Sequence, residues 1–159
     1  MTLPKRAAGM LLVLSVLWSS TLIAIPYLVS HARGNLPVLR SAQVAYVLGS
    51  LVCHQRPERS FHPWDIQVPV CARCEGIYLA APFGIALVLA ARRHGSPRLA
   101  TRRLWQRVVS LACLPTILTL AWEWTTGDMT SGPVRAAAGG VLGAAIAATV
   151  AAVASGELR

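Results

Sequence analysis

Residues 7–30 read AAGMLLVLSVLWSSTLIAIPYLVS, an apolar run that contains no charged side chain. A helix needs about 20 apolar residues to cross the hydrocarbon core of a bilayer, so this run is long enough to span it. Lys5 and Arg6 precede the run. The apolar core of a secretory signal peptide is shorter, about 7–15 residues. We therefore predict a retained transmembrane helix near the N-terminus.

Further apolar segments follow along the chain. Three of them are close to the length of a span, and we predict them as transmembrane helices: residues 75–91, 108–124 and 134–154. Residues 41–52 are apolar but too short to cross a bilayer, and they indicate an interfacial helix. The predicted fold class is an all-α membrane protein, with about four transmembrane helices, a short interfacial helix and an extracytoplasmic Cys/His loop at residues 53–74. We expect residues 1–159 to form a single membrane domain.

The composition agrees with a membrane protein and not with a soluble domain. The 159 residues are 55% hydrophobic and 13% charged, with a mean hydropathy of +0.54. The net charge of +9 would suggest nucleic-acid binding in a soluble protein. Here six arginines lie between Arg92 and Arg107, in a loop between two predicted spans. Membrane orientation explains this excess, so we expect a lipid bilayer and no nucleic acid as a partner.

The distribution of basic residues also predicts the orientation of the chain. With four spans, the arginine-rich loop and the Lys5-Arg6 pair lie on the same side of the membrane. The positive-inside rule assigns that side to the cytoplasm. We therefore expect a multi-pass protein of the bacterial inner (cytoplasmic) membrane with both termini in the cytoplasm and the Cys/His loop outside.

Residues 53–79 read CHQRPERSFHPWDIQVPVCARCEGIYL and contain three of the four cysteines and two of the four histidines. Cys71 and Cys74 form a Cys-x-x-Cys pair at the start of the second predicted span. The N-terminus of a helix favours thiolate over thiol, and Arg73 between the cysteines acts in the same direction. Thiolate is needed both for metal ligation and for disulfide exchange, so this pair alone supports both chemistries.

Cys53 and His54 lie upstream, at a distance that allows the chain to fold back onto Cys71 and Cys74. Three thiolates and one imidazole are a tetrahedral zinc set, and thiolate-rich sites also suit copper(I) or an iron–sulfur cluster. Adjacent residues rarely direct both side chains at one ion, so His62 is the alternative fourth ligand, with His54 beside the ligands. A dithiol redox pair and a structural disulfide from Cys53 remain open alternatives.

Several residues near the cysteines are candidates for supporting the ligands or for binding a further ligand: Arg56, Arg59, Arg73, Glu75 and Tyr78. Arg56 and Arg59 can pair with Glu58 or with lipid phosphate. They can also bind an anionic ligand or a quinone headgroup beside the thiolates. No arrangement of nucleophile and base is visible, so catalytic residues and an enzymatic activity are not assigned.

The fourth predicted span carries small residues and one charge. Gly139, Gly140 and Gly143 lie among alanines, a pattern that allows two helix backbones to approach closely. Arg135 lies at the start of this span, on the same side of the membrane as Glu123. An ion pair between them would lower the cost of a charge at membrane depth.

Several of these motifs together resemble a family of small bacterial membrane proteins known as domain of unknown function 2085. The resemblance covers residues from about 45 to 145. It is carried by Cys53-His54-Gln55, by Glu58 to Phe61, by Pro69 to Tyr78, and by the Arg-x-x-x-Gly-x-x-x-Gly run that begins at Arg135. The resemblance implies a metal- or thiol-based site, and it implies no particular activity.

A second resemblance is one of topology. Bacterial disulfide-generating quinone reductases are similar four-helix membrane proteins with Cys-x-x-Cys at the outer end of the second helix. They use another cysteine pair in the last loop, which TTGDMTSGP lacks. The sequence therefore predicts two alternative functions. The first is a zinc-binding membrane protein with a structural or subunit role in a larger membrane complex, and the alternative is a quinone-linked thiol oxidoreductase using Cys71 and Cys74.

Overall fold

The computed structural model describes residues 3–32, 34–94 and 102–156, with side chains from residue 6 onward. These residues form five α-helices and no strand: α1 (Leu3–His31), α2 (Leu36–Ser50), α3 (Ala72–Arg93), α4 (Arg102–Thr126) and α5 (Gly132–Ala154). Two short 3₁₀ turns lie between α2 and α3, at Pro57–Arg59 and Pro63–Asp65. Helices α1, α3, α4 and α5 are long and apolar enough to cross a membrane. The predicted all-α class with four candidate spans is confirmed.

Helix α2 begins several residues before the predicted interfacial helix. Asn35 caps it, because the Asn35 side chain accepts a hydrogen bond from Val38 N at 3.4 Å, and Pro37 occupies its first turn. The first turn of a helix has no use for the N–H that proline lacks, so proline is favoured there. Pro37 therefore belongs to the start of α2.

Helices α3 and α4 also begin earlier than the apolar segments that predicted them. Helix α4 starts at Arg102, and its first turn carries exposed arginines. Helical hydrogen bonding continues through polar residues, whereas apolarity marks only the part that lies in hydrocarbon. Residues 95–101, which belong to the arginine-rich loop, lie outside the described residues.

The four long helices run in alternating directions, which defines two ends of the bundle. At the terminal end, where α1 begins and α5 ends, one apolar cluster joins all four of them: Leu11, Leu12, Ile85, Val88, Trp105, Ala148, Ala151 and Ala152. At the thiol end, where α3 and α5 begin, a second cluster joins α1 and α3 to the loop that follows α2. The predicted Cys/His loop therefore lies at the thiol end.

Helices α3 and α5 pack backbone to backbone along a seam of glycines. A Cβ atom on Gly76 or Gly84 of α3 would overlap a backbone carbonyl of α5, and one on Gly139 or Gly143 of α5 would overlap a carbonyl of α3. Gly140 has more room, since its nearest neighbours would be at ordinary contact distance. Small residues thus allow the close approach expected from the fourth predicted span.

Pro82 lies inside α3, and a side chain of α1 compensates for it. A proline at position 82 cannot donate the helical hydrogen bond to the carbonyl of Tyr78, four residues earlier. The Ser19 hydroxyl donates to that carbonyl oxygen at 2.7 Å, and Ser19 is 8% exposed. The buried carbonyl is therefore satisfied by a neighbouring helix, as expected for a proline inside a membrane helix.

Candidate metal centre

Cys53 is held at the C-terminal end of α2. Its backbone N–H donates to Gly49 O at 2.9 Å, which continues the helical turn beyond Ser50. Gly49 itself lies against the Pro69 carbonyl and the Gln55 side chain, where a Cβ atom would overlap both. The end of α2 is thus pressed against the segment that leads into α3.

Two glutamines brace the loop between Cys53 and α3. Gln55 adopts a left-handed backbone conformation with φ 48°, and its Nε2 donates to Tyr46 O at 2.7 Å and to Pro69 O at 2.6 Å. Gln67 Nε2 donates to Gln55 O at 2.6 Å. The Tyr46 hydroxyl in turn donates to Gln67 O. Tyr46 and Gln67 were not predicted as site residues from the sequence. The two glutamines of the loop, Gln55 and Gln67, were nevertheless a signal, because uncharged amides in an apolar chain need hydrogen-bond partners.

The loop also folds its apolar side chains onto the bundle. Val68 and Val70 are fully buried and pack with Leu22 of α1 and with Cys53. The Val68 N–H donates to Phe61 O at 2.9 Å, which closes the middle of the loop. Burial of this kind stabilises by about 25 cal/mol per Å² of apolar surface. The cysteines therefore sit on a packed platform.

The loop and the first turn of α3 bring three thiols together. The sulfur atoms of Cys53, Cys71 and Cys74 all lie within 4.8 Å of one another. Three sulfurs bound to one tetrahedral zinc, each at about 2.3 Å, would be about 3.8 Å apart. The observed spacing therefore needs only a small contraction around an ion. The chemistry and placement of the three donors fit a soft cation.

Backbone and side-chain donors stabilise charge on these sulfurs. The Cys71 N–H donates to Cys53 Sγ at 3.2 Å. A hydrogen bond from the Cys74 thiol lowers the pKa of the Cys71 thiol to about 5, with help from the N–H groups of Cys74 and Arg73 and against the effect of burial. Cys71 is the N-cap residue of α3, so these are the donors expected at a helix N-terminus.

The two candidate histidines line different cavities. His54 lines a cavity of about 320 Å³ together with the three cysteines, Arg56 and Arg59. His62 lines a separate cavity of about 530 Å³. Both histidines are exposed. His54 shares a cavity with the thiols, but the group of ligand atoms within 4.8 Å contains the three cysteines and neither of these histidines.

Three of the other predicted support residues line one of these two cavities, and Tyr78 packs beside the cysteines. Arg56 is exposed and Arg59 is half-buried on the thiol cavity. Tyr78 packs in the same apolar cluster as Cys53, with its ring edge-on to Trp18 at 5.9 Å. Glu75 is 9% exposed and lines the His62 cavity, and its Oε2 has no hydrogen-bond partner within the described ranges of the chain. Glu75 therefore lines a different cavity from the thiols.

Glu123 is paired with a different arginine from the one expected. Arg73 Nη2 lies 3.4 Å from Glu123 Oε1, and the Thr130 hydroxyl donates to the same oxygen at 2.6 Å. Arg135 makes no ion pair within the described part of the chain, although it lies close enough to attract the Glu123 carboxylate electrostatically. Arg73 also donates to Thr119 Oγ1 at 3.2 Å. Glu123 is one of two buried residues in α4.

The comparison with protein families matches the part of the chain that builds this site. Residues 53–149, more than half of the chain, match the family described as "Predicted membrane protein (DUF2085)". This chain belongs to the DUF2085 family. The matched region begins at Cys53 and includes Cys71, Cys74, Glu123 and Arg135. Membership establishes a membrane protein and names no activity.

Two uncharacterized archaeal proteins are similar to parts of this DUF2085 protein. One, from Methanocaldococcus jannaschii, is 45% identical over 42 residues, which cover 26% of this chain and 27% of the relative. The other, from Methanothermobacter thermautotrophicus, is 53% identical over 30 residues, which cover 19% of this chain and 27% of the relative. The chain thus spans about a quarter of the length of these relatives. No solved structure matches.

Proposed function

We propose that this DUF2085 protein binds one zinc ion at the thiol end, through Cys53, Cys71, Cys74 and His54. The observation that carries the proposal is the convergence of three sulfur atoms within 4.8 Å. A disulfide would use two of these sulfurs and leave the third without a role. One metal ion uses all three and has room for a fourth ligand from the same cavity.

The placement of His54 supports it as the fourth ligand over His62. His54 lines the thiol cavity, whereas His62 lines the cavity of Glu75. His54 directly follows Cys53, so both side chains can bind one ion only if the loop adjusts. The left-handed conformation of Gln55 turns the chain immediately after His54 and keeps it at the cavity.

A metal at this position would join two separate parts of the chain. Cys53 belongs to the end of α2, whereas Cys71 and Cys74 belong to the start of α3. An ion bound by all three would fasten the intervening loop to the bundle. We propose that the fastened loop has a structural or subunit role in a larger membrane complex.

Metal analysis of the purified protein tests the proposal. Protein purified in mild detergent under anaerobic conditions is expected to contain one zinc ion per chain by elemental mass spectrometry. Cys53→Ser, Cys71→Ser and Cys74→Ser are each expected to lose it. Cys113→Ser is the matched control, because Cys113 is half-buried in α4, away from the three thiols. Copper or iron found instead of zinc would change the assigned identity of the metal. The absence of any metal, together with an intact Cys71–Cys74 disulfide, would contradict the proposal.

The fourth ligand is tested by a pair of histidine substitutions. His54→Ala is expected to weaken zinc binding in a competition titration with a chelator, while His62→Ala leaves it unchanged. The reverse result would assign the ligand to His62. If both variants bind zinc as tightly as wild type, neither histidine is a ligand, and the fourth ligand comes from solvent.

One observation favours the thiol oxidoreductase as a second candidate. The lowered pKa of Cys71, with a hydrogen bond from Cys74, is typical of a reactive Cys-x-x-Cys pair. In that reaction the two thiols would form a disulfide and pass two electrons and two protons to a membrane quinone. Quinone reduction that depends on Cys71 and Cys74 in metal-free protein would support it.

We further propose that the thiol end faces outside and that both termini are cytoplasmic, in a bacterial inner membrane. The arginines of the terminal end support this orientation: Arg92, Arg93, Arg102, Arg103 and Arg107. Reporter fusions after residue 94 and after residue 159 are expected to be active in the cytoplasm. A reporter inserted at residue 57 is expected to be active outside, and the opposite pattern would invert the topology.

A further inference from the structure

The thiol end contains, beside the cysteines, a second group of side chains that the metal centre does not use. Arg59, Arg73 and Arg135, together with Glu123, form what we call the guanidinium cluster. Arg73 Nη2 lies 3.4 Å from Glu123 Oε1, and Arg59 and Arg135 are near enough to the same carboxylate to interact with it electrostatically. The Nε atom of each arginine is buried and has no hydrogen-bond partner among the described residues. The cluster thus contains buried donors that the protein leaves unsatisfied.

Arg135 is the most deeply buried of the three. It is 6% exposed, and no hydrogen bond or ion pair to its guanidinium is formed within the described part of the chain. Helix packing places it there. Gly139, one turn further along α5, lies against the backbone and side chain of Arg73. The face of α5 that carries Arg135 is therefore held against the start of α3.

The fixed charges of the cluster do not balance. Glu123 supplies one negative charge, and its Oε1 already accepts from Arg73 and Thr130. Glu75, the other buried carboxylate at this end, lines a different cavity. Three thiolates around a divalent ion would carry one net negative charge, close to Arg59, which lines their cavity. Arg135 still has no hydrogen-bond or ion-pair partner among the described residues.

A buried charge without a partner is strongly unfavourable, and a partner of opposite charge offsets this only with good geometry and further hydrogen bonds. Planar guanidinium groups present forked donors that match the oxygens of phosphate. Arg135 also lies in the first turn of α5, where the helix carries partial positive charge. We propose that the guanidinium cluster binds a phosphate group, with Arg135 as its main anchor and Arg59 and Arg73 as flanking donors.

The phosphate can come from either of two sources that share this chemistry. It can be free inorganic phosphate, or it can be the headgroup of an anionic phospholipid at the membrane surface. The cluster lies at the ends of helices α3, α4 and α5, which is the depth of headgroups for a spanning bundle. The site does not depend on the identity of the metal.

The test measures both probes on the same delipidated protein in mild neutral detergent. Isothermal titration calorimetry with sodium phosphate tests the free anion, and native mass spectrometry with phosphatidylglycerol tests the lipid. Wild-type protein is expected to bind at least one probe. Arg135→Gln is expected to weaken that binding at least tenfold. Arg135→Lys is expected to weaken it less, because the charge is kept, but still to weaken it, because the forked donors are lost.

Two further variants separate an anion site from a structural ion network. Glu123→Gln removes the negative charge that competes with the ligand, so it is expected to tighten binding several-fold. Arg103→Gln, an exposed arginine at the terminal end, is the matched control and is expected to bind as wild type. If Arg135→Gln does not fold, Arg59→Gln in the loop takes its place, with weaker binding expected.

The zinc content of each variant is measured in parallel. If the Arg135→Gln variant keeps its zinc but no longer binds phosphate, the anion site is separate from the metal centre. If neither probe binds to wild-type protein, or if Arg135→Gln and Arg59→Gln bind as tightly as wild type, the proposal is wrong. Glu123→Gln that loses stability without any change in phosphate binding would assign the cluster to structure alone.

Discussion

The two ends of the bundle are built from the same helices but bury different kinds of side chain. The terminal end packs Ile85 and Val88 against alanines of α5, and the arginines at the start of α4 are exposed. The thiol end buries Cys53 and the charged groups Glu75, Glu123 and Arg135. Apolar burial stabilises a fold directly, whereas a buried charge is stabilising only with a partner.

The buried side chains of the terminal end thus require only close packing, whereas those of the thiol end also require charged or hydrogen-bonding partners. The terminal end can be explained by packing, apart from the buried Ser155 hydroxyl, which has no partner in the part of the chain that the structure describes. The thiol end cannot, because it buries Cys53 and three charged groups, and a buried charge is costly unless it has a partner. The predictions below test whether the two ends respond differently to substitution.

The largest effect is expected from the glycine seam. Gly139→Ala places a Cβ atom on the carbonyl of Arg73, so α3 and α5 must separate, at a cost of about 3 kcal/mol or more. Thermal unfolding in detergent, with zinc content per folded chain, measures the result, and both are expected to fall. Gly84→Ala, nearer the terminal end, is expected to lower stability but not zinc content.

The neighbouring position Gly140 is the matched control for this substitution. A Cβ atom there would lie 3.6 Å from Gly76 O and 3.7 Å from Ala80 Cβ, which is ordinary contact. Gly140→Ala is therefore expected to unfold at nearly the wild-type temperature. Equal destabilisation by both alanines would show that helix geometry, and not the contact with Arg73, is responsible.

The second effect concerns the loop that carries Cys53. Gln55→Ala removes the hydrogen bonds to Tyr46 O and Pro69 O. Groups that orient metal ligands typically contribute 10- to 100-fold in metal affinity. We expect zinc affinity to fall by about this factor in a chelator competition, while Gln106→Ala at the terminal end leaves it unchanged. Unchanged affinity in Gln55→Ala would mean that packing of the loop is sufficient.

A third, smaller effect is expected in the middle of the bundle. Ser19→Ala removes the hydrogen bond to the Tyr78 carbonyl and is expected to cost about 1–2 kcal/mol in unfolding free energy. Pro82→Ala restores a helical donor to that carbonyl. The same Ser19→Ala change is therefore expected to cost less in a Pro82→Ala background. Additive effects in this double-mutant cycle would contradict the assigned role of Ser19.

The smallest effect is expected where a flexible side chain fills the space. A Cβ atom on Gly132 would lie 2.8 Å from the ring of Phe61, and that ring can turn away. Gly132→Ala is expected to cost less than about 1 kcal/mol in unfolding free energy. Gly9→Ala, which has nothing within 4 Å, is expected to be neutral or slightly stabilising. A large loss for Gly132→Ala would show that Phe61 is rigidly held by the loop.

Sequence patterns predicted the spans because a bilayer requires long apolar helices. They predicted the small-residue face of α5 because small side chains allow two helices to pack closely. They did not reveal that Arg73 is the arginine that pairs with Glu123. Arg73 and Arg135 both lie at the thiol end, and the rotation of α3 about its axis decides which one reaches the carboxylate. That rotation follows from the glycine contacts, which depend on the facing helix.

The loop shows the same limit. The spacing of the cysteines indicated that they could meet, since Cys-x-x-Cys fixes two of them on one turn. The hydrogen bonds of Gln55 and Gln67 join residues on both sides of the loop, and their partners are backbone atoms. Backbone partners leave no trace in side-chain composition, so the sequence did not predict these contacts.

The separation along the chain of the two groups at the thiol end has a consequence for biogenesis. The three thiols lie between residues 53 and 74, so they can meet once α2 and the start of α3 have been synthesised. The guanidinium cluster draws on residues from 59 to 135 and needs α4 and α5 as well. During insertion into the membrane, metal capture can therefore precede the arrival of the last two helices. Binding of an anion, by contrast, can report that the whole protein has been assembled.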